Sequence, residues 1–223
     1  MTNYLELSHR LGHHTPLPLG VPAYEFYHHY SIKRGDASNL FMLHFSNHTG
    51  THIDAPWHFV KSGLRICDFR LEEFIFERPA CVDLPLEDGE LIEADHLRPY
   101  SDMIQQCDLL LLNTGYSVIR PKDPQRYAQQ SPGVSTGAAR FLVKNFPNLR
   151  ALGLDTVSLA SMQHLDDGLE AHRILLRGRG RRFLIIEDMN LNQELHLVKR
   201  VMAIPLFIEG IDSAPCTVLG VIE

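Results

Sequence analysis

Short apolar runs separated by glycine, proline and asparagine recur along the chain, and they predict strands mixed with a few helices. The run at 40–46 predicts a buried strand. The run at 109–112 predicts a second buried strand, because the turn residues Asn113-Thr114-Gly115 follow it at once. Further strands are predicted at 79–84, 151–154, 183–186, 201–208 and 217–222.

Two helices are predicted between these strands. Ser135 can cap a helix whose apolar side chains recur at intervals of three and four residues, and Pro147 marks its end. A second helix is predicted at 169–176, whereas the proline-rich segment 13–22 predicts an extended arm. Strands and helices do not alternate strictly, and the sequence contains no G-x-G-x-x-G or P-loop motif. The pattern therefore predicts a mixed α/β fold and gives no support to a nucleotide-binding sheet.

Composition indicates an ordinary globular protein with an unusual number of histidines. The 223 residues, 44% hydrophobic and 22% charged, suit one domain over 1–223, with an extended arm and first strand over 1–38. The net charge of −6 argues against a nucleic-acid partner, and no apolar run is long enough for a membrane span. We expect a cytoplasmic protein with reduced thiols, because the cysteines form no C-x-x-C pair and no secretion signal is present.

Three of the 13 histidines lie in the segment 47–59, which reads NHTGTHIDAPWHF. His48, His52, Asp54 and His58 have the same parity, so an extended chain places all four side chains on one face. Gly50 and the proline at 56 argue against a helix here. A face with three imidazoles and a carboxylate favours metal binding. The alternative is that these histidines have a purely structural role.

Spacing along the segment indicates which side chains can share an ion. His52 and Asp54 lie roughly 6.6 Å apart along a strand, but His48 lies roughly 13 Å from His52 unless the chain bends. Gly50, midway between the two histidines, permits such a bend. Two imidazoles and a carboxylate suit Zn²⁺ or Mn²⁺ with an open position for water, which favours a catalytic site over a closed structural one.

The segment HTGTHIDAPWHF closely resembles the signature of the cyclase-like metal-dependent hydrolase family, which includes bacterial kynurenine formamidases and isatin hydrolases. Weaker resemblances to the family follow in the family's order at 112–116, 131–133, 137–144, 153–158, 170–176, 186–191, 205–206 and 210–215. The resemblance covers most of the chain. It implies a swivelling β/β/α fold assembled as a homodimer or homotetramer.

The resemblance also implies roles for six residues. One group matches the family's metal ligands, with Asp54 shared between two ions: His48, His52, Asp54, His172 and Glu187. His58 matches the catalytic histidine, which would take a proton from water and return it to the leaving nitrogen. The implied activity is hydrolysis of a C–N bond in a small amide, with Zn²⁺ or Mn²⁺ activating water at one or two positions. N-formylkynurenine is the candidate substrate, which would make the protein an arylformamidase.

Several alternatives stay open at the level of sequence. Opening of a cyclic amide, as in isatin hydrolases, is one, and metal or metabolite binding without catalysis is another. Three aromatic residues can line the substrate pocket or pack in the core: Trp57, Phe59 and Tyr116. Asp155 and Ser158 follow a predicted strand and can support a metal ligand or cap a turn. Within the arginine-rich segment 173–182, the run 177–182 is expected to be a solvated loop, with an anion site or an RNA contact as the alternative.

Overall fold

A computed structural model describes residues 3–178, 180 and 182–222, so Arg179 and Arg181 of the arginine-rich segment lie outside the described residues. The strands are β1 Asn3–Glu6, β2 Glu25–Tyr30, β3 Leu40–His44, β4 His52–Asp54, β5 Ile75–Phe76, β6 Pro79–Asp83, β7 Leu91–Ile92, β8 Leu109–Asn113, β9 Gly133–Val134, β10 Ala151–Leu154, β11 Leu184–Glu187, β12 Val198–Pro205 and β13 Ser213–Ile222. The α-helices are α1 Ala94–Leu97, α2 Ser101–Gln106, α3 Pro124–Gln130, α4 Thr136–Asn145 and α5 Leu165–Arg177.

A mixed sheet forms the centre of the molecule, with its strands in the order β5-β12-β13-β4-β11-β10-β8-β6 and β1 beside β13. Strands β6, β8, β10 and β11 are parallel. Strand β4 is antiparallel to both of its neighbours, β11 and β13. His52 and Asp54 of β4 therefore lie in the middle of the sheet, where their side chains are removed from water.

The sheet separates two apolar layers. On one side, Leu110 of β8 packs with Leu142 of α4 and Leu175 of α5. On the other side, Leu111 of β8 packs in a layer with Val201 of β12 and further residues of β5 and β13. A strand that is buried on both faces reads as a continuous apolar run, which is why the sequence pattern located these strands. The layering confirms the predicted mixed α/β fold.

Helix α5 lies unusually close to the chain that follows β10. A Cβ atom at Gly168 would stand only 2.5 Å from Cα of Ala160, so a larger residue would push the helix outward. The helix extends beyond the predicted 169–176 at both ends. Because α5 carries His172, its close approach sets how deeply that imidazole enters the interior.

The strand predicted at 40–46 forms over Leu40–His44, but the expectation that it is buried is wrong. Within the described chain, β3 pairs with β2 alone, and the residues of both strands are exposed. Apolar side chains such as Tyr27, Phe41 and Leu43 face solvent. An apolar run reports hydrophobicity and strand propensity but not what covers the strand, so sequence alone could not distinguish a core strand from this hairpin.

Two smaller expectations concern the membrane and the cysteines. None of the described helices is both long and apolar enough to cross a lipid bilayer. All four cysteines are free thiols.

Candidate metal centre and active site

The chain turns sharply between His48 and His52. Gly50 occupies the left-handed region with φ of 66°, which favours glycine. The turn brings the two imidazole rings to a centroid distance of 5.1 Å, far less than the separation in a straight strand. His48 Nδ1 lies 3.2 Å and His52 Nε2 lies 3.6 Å from the same oxygen, Oδ1 of Asp54. The bend predicted at Gly50 is confirmed.

His58 reaches the same cluster by a different backbone path from the one expected. The strand ends at Asp54, and Pro56–His58 form a short 3-10 helix, so the expectation of one extended face is wrong beyond Asp54. Proline at the first position of this helix has the φ that the turn requires. The helical turn returns His58 Nε2 to 3.9 Å from Asp54 Oδ2.

Two residues from distant parts of the chain complete the cluster. Glu187, the last residue of β11, is the sheet partner of His52, and its Oε2 lies 3.2 Å from His52 Nε2. His172 of α5 contacts Glu187 from the other side, with Nε2 3.1 Å from Oε1. The structure therefore brings together all five residues predicted as ligands. Their role as ligands stays a prediction.

The cluster contains buried polar atoms that other groups do not satisfy. Both carboxylate oxygens of Asp54 and Nε2 of His52 are buried without a hydrogen bond of acceptable geometry to any described residue. Burial of such atoms costs free energy unless a partner compensates. Candidate ligand atoms lie within 4.8 Å of one another in three sets. Two share Asp54 and consist of His48, His52 and Asp54, and of Asp54, His172 and Glu187; the third consists of His48, His58 and Asp212. Imidazole nitrogens and carboxylate oxygens fit a divalent ion such as Zn²⁺ or Mn²⁺.

Backbone carbonyls orient two of the imidazoles. Nδ1 of His52 donates to the carbonyl of Gly50 at 2.8 Å, and Nδ1 of His172 donates to the carbonyl of Gly168 at 2.8 Å. Each bond places a proton on Nδ1 and directs Nε2 into the cluster. This arrangement is typical of metal-binding histidines, whose remote nitrogen is held by an outer partner.

Protons on the imidazoles balance the buried carboxylates when no ion is bound. Burial opposes the charge on His48, but the adjacent carboxylates of Asp212 and Asp54 outweigh it and raise the pKa of His48 to about 10. Burial likewise opposes the charge on Glu187, yet the adjacent imidazoles of His172 and His52 lower its pKa to about 2. The pKa of Asp54 lies below its ordinary range because His58 and His48 outweigh the effect of burial.

Asp212 belongs to the site, although no role was predicted for it from the sequence. It precedes β13, and its Oδ2 lies 2.6 Å from Nδ1 of His58. Asn47 Nδ2 donates to the other oxygen at 2.8 Å. Burial favours the neutral carboxyl, but hydrogen bonds from His48 and His58 hold the pKa of Asp212 below its usual value. The segment 210–215 resembles the family's closing motif, and this resemblance is the feature of the sequence that could have identified Asp212 as a site residue.

A cleft of about 300 Å³ opens beside the cluster. His48, His52, His58, His172 and Glu187 form its polar end, and Phe59 lines it as well, while its role in a substrate pocket stays a prediction. The remaining lining residues are Pro18, Leu19, Val21, Ser158, Ala160, Met162, Leu165 and Leu169. Neither Trp57 nor Tyr116 is among the described residues that line the cleft. The guanidinium of Arg65 lies over the ring of Trp57. Tyr116 is buried, and its hydroxyl group donates a hydrogen bond to Asp88.

Residues beyond β10 and β11 support Glu187. Ser158 Oγ donates to Glu187 Oε1 at 3.2 Å, and the amide of Leu159 donates to the same oxygen at 2.6 Å. Both roles open to Ser158 are observed, because its Oγ also accepts from the amide of Ala160 at 3.2 Å and so caps the turn. Asp155 instead accepts hydrogen bonds from Thr114 and from the amide of Ser117, which is a turn-capping role.

A buried ion pair lies directly behind Glu187. Asp188 is the single non-glycine residue with positive φ among those described, at 53°. Nε and Nη2 of Arg120 each lie 2.7 Å from its carboxylate, and the Tyr127 hydroxyl donates to it at 2.7 Å. Its carbonyl accepts from Thr51, the neighbour of His52. One anchored residue therefore fixes the backbone beside two candidate ligands.

None of the described residues of the arginine-rich segment lines the cleft or belongs to the cluster. Arg182 pairs with the partly buried carboxylate of Glu73, and Arg173 pairs with Glu170 at 3.3 Å. The rest of the expectation for a solvated loop falls on Arg179 and Arg181, which lie outside the described residues.

Comparison with known proteins places this fold and site in a family. The model of the Cyclase family matches residues 5–161, and the chain belongs to that family. A kynurenine formamidase of Geobacillus thermodenitrificans is 26% identical over 215 residues, which are 96% of this chain and 95% of the relative. An uncharacterized protein of Haemophilus influenzae is 33% identical over 114 residues, 51% of this chain and 80% of that protein. Isatin hydrolase A from Labrenzia aggregata has the same fold, with a TM-score of 0.82 over 99% of this chain and 94% of its own at 21% identity.

Proposed function

We propose that the protein is a metal-dependent hydrolase that cleaves the C–N bond of a small amide. The observation that carries the proposal is the position of His58 at the polar end of the cleft, held by Asp212 and next to buried carboxylate oxygens without partners. A protein that only stores a metal has no need of a free imidazole in this place. The kynurenine formamidase among the relatives supports an amide substrate.

The candidate ligands would hold the metal ion that supplies the electrophile of the reaction. One or two Zn²⁺ or Mn²⁺ ions would be held by His48, His52, Asp54, His172 and Glu187. When bound, such an ion polarises the substrate carbonyl and lowers the pKa of water. The residues themselves exclude bulk water from one side, because His52, Asp54, His172 and Glu187 are almost fully buried.

His58 supplies the proton transfers. Nδ1 is occupied by the hydrogen bond to Asp212, so Nε2 is the nitrogen available to take a proton from the attacking water and return it to the leaving nitrogen. The carboxylate of Asp212 stabilises the imidazolium that forms between the two transfers. Phe59, stacked on His172 with a centroid distance of 4.8 Å, holds the neighbouring wall of the cleft.

Hydrolysis of N-formylkynurenine by the purified protein tests the proposal. The assay is run on the protein as prepared, after chelation, and after addition of Zn²⁺ or Mn²⁺, with His58→Gln as the inactive control. We expect turnover that chelation abolishes and one of the ions restores. A protein that shows no metal-restored amide hydrolysis would contradict the assignment.

Opening of a cyclic amide is the second candidate activity. The apolar lining of the cleft favours it, because a fused lactam presents a flat uncharged body. Isatin, tested under the same metal conditions, distinguishes this activity from cleavage of an acyclic formamide.

A further inference from the structure

We infer that Arg120 and Asp188 are positioning residues for the candidate metal centre. Their ion pair sets where Glu187 meets His52, and it thereby sets the affinity of the centre for its ion. The inference rests on the proposed metal-dependent function and deepens it. Both residues act through the backbone that follows β11, and neither belongs to the candidate ligand sets.

The chain changes direction at Asp188. Glu187, the residue before it, is the last of β11 and pairs with His52 of β4. Asp188 then takes a left-handed conformation with φ of 53°, which a residue with a Cβ atom adopts only at a cost in free energy. In this conformation its amide donates to the carbonyl of Thr156 at 2.8 Å, and its carbonyl accepts from the hydroxyl of Thr51. The peptide groups of Asp188 therefore tie the segment after β10 to the start of β4.

Thr51 connects this turn to the candidate ligands of β4. Its hydroxyl donates to the carbonyl of Asp188 and accepts from the amide of His9 at 2.8 Å. The next residue, His52, places Nε2 3.2 Å from Oε2 of Glu187. Because Asp188 is bonded covalently to Glu187 and through Thr51 to His52, a displacement of Asp188 disturbs both sides of this contact.

The ion pair holds the side chain of Asp188 in one orientation. The side chains of Arg120 and Asp188 are only 11% and 1% exposed, so water is largely excluded from the contact. Nε and Nη2 of Arg120 each contact a different carboxylate oxygen, and such a fork fixes angle as well as distance. A buried ion pair is often no more stabilising than apolar side chains of the same volume. What this pair supplies to the site is therefore a fixed orientation.

A second arginine provides an internal comparison. Nη2 of Arg150 lies 3.2 Å from Oδ2 of Asp108 and donates to the carbonyl of Ile75 at 2.8 Å. Arg150 precedes β10, whose first residue is the sheet partner of the first residue of β11. Glu187 lies at the other end of β11. The contacts of Arg150 therefore stabilise the end of the sheet that is remote from the candidate ligands.

Zinc affinity of the full-length variants tests the inference, with Zn²⁺ alone as the probe and a chromophoric chelator as the competitor. Arg120→Lys keeps the charge and loses the planar fork. We expect its Kd for Zn²⁺ to rise by about 10–100-fold, as is typical when a partner outside the ligand set is lost. Arg150→Lys is the matched control, which should lower the free energy of unfolding in urea and leave the Kd unchanged.

The absorption spectrum of bound Co²⁺ gives a second readout that a purely structural role would not alter. Because the visible bands of Co²⁺ report its coordination geometry, they should change in Arg120→Lys and match the wild type in Arg150→Lys. Tyr127→Phe removes one donor to Asp188 with little change in volume, so it tests the same claim if Arg120→Lys does not fold. A smaller fall in Zn²⁺ affinity is expected for this variant.

The possible results separate the inference from the proposed function. Wild-type affinity in both Arg120→Lys and Tyr127→Phe overturns the inference and leaves the metal centre standing. An equal loss of affinity in Arg150→Lys also overturns it, because affinity then follows the stability of the whole fold. A wild-type protein that binds neither Zn²⁺ nor Mn²⁺ contradicts the metal-dependent function and the inference together.

Discussion

The Nδ1 atom of His58 lies 2.6 Å from Oδ2 of Asp212, although 154 residues separate them in the chain. The contact fixes the orientation of the imidazole and leaves Nε2 facing the cluster. Asn47 holds the same carboxylate from the other side at 2.8 Å. Asp212 is therefore a positioning residue for the proton transfers assigned to His58.

Asp212→Asn should reduce kcat by about 10²-fold or more while the bound metal is retained, because general acid–base catalysis depends on the orientation and charge state of the imidazole. The pH profile of kcat should change as well, since the imidazolium loses its anionic partner. Asp102→Asn, the same chemical change on the exposed surface of α2, should leave kcat and profile unaltered. Loss of metal from Asp212→Asn would instead identify Asp212 as a ligand.

Metal content separates the candidate ligands from the catalytic histidine. His52→Gln and Asp54→Asn should lose both bound metal and activity, since these side chains converge at the centre of the cluster. His58→Gln should lose activity and keep its metal. Elemental analysis of the purified variants by plasma mass spectrometry measures the difference. Full occupancy in Asp54→Asn would disprove its role as a ligand, and an empty His58→Gln would move His58 into the ligand set.

Metal affinity should rise steeply with pH. The pKa of His48 is raised to about 10 from an ordinary 6.5, so the folded metal-free protein holds a proton that an ion must displace. Each proton released should strengthen binding about tenfold per pH unit below the folded pKa. Calorimetric titration at pH 6, 7 and 8 in two buffers of different ionisation enthalpy measures affinity and proton release together. An affinity independent of pH would contradict the charge state assigned to His48.

The proton held by His48 also leads to a prediction about the stability of the metal-free protein. A raised pKa contributes stability that is fully present below pH 6.5 and is lost as the pH rises through about 10. The chelated wild-type protein should therefore lose more melting temperature between pH 6 and pH 10 than chelated His48→Gln. Parallel loss in both proteins would show that His48 is not the group responsible.

The buried ion pair between Arg120 and Asp188 should contribute far more to the free energy of unfolding than ion pairs on the surface do. Arg120→Met leaves the Asp188 carboxylate buried without its bidentate partner, and should lower the free energy of unfolding by about 3–5 kcal/mol. Adding Asp188→Asn should recover part of the loss, because asparagine tolerates positive φ and carries no charge. Arg200→Met, which removes an exposed pair with Glu77, should cost at most about 1 kcal/mol. Urea unfolding of the chelated proteins gives all three values.

The homodimer or homotetramer inferred from the family resemblance stays a prediction, and the β2–β3 hairpin is the surface on which to test it. A two-stranded hairpin is marginally stable alone, and this one leaves apolar side chains exposed on both strands. If a second copy covers it, Phe41→Glu should shift the protein toward the monomer in light scattering coupled to size exclusion. Glu72→Gln, an exposed change outside the hairpin, is the control. An unchanged mass for Phe41→Glu would remove the hairpin from the interface.

The sequence was most informative where the same few residues determine both the chemistry of the site and the conformation of the backbone. The segment from His48 to Asp54 revealed its bend because Gly50 is required for the left-handed turn, and the apolar strands were found because both of their faces are buried. His172 and Glu187 came from family resemblance, since no local pattern links a helix residue to a strand residue 15 positions later. Asp212 lies in the segment 210–215, which resembles the family's closing motif, but no role was predicted for it, because its partner His58 lies in another part of the chain.

The position of β4 in the sheet determines when the candidate metal centre can assemble as the chain is synthesised. This strand carries His52 and Asp54 and is synthesised well before its two hydrogen-bonded neighbours, β11 and β13. Until β11 has emerged from the ribosome, the strand has neither neighbour and its candidate ligands cannot meet Glu187; Asp212 emerges later still. Long-range pairing of this kind is slow and leaves an open strand edge exposed. Assembly of the centre therefore waits for β11 and Asp212, and a nascent chain stalled before β11 should neither retain metal nor resist proteolysis at the segment 47–59.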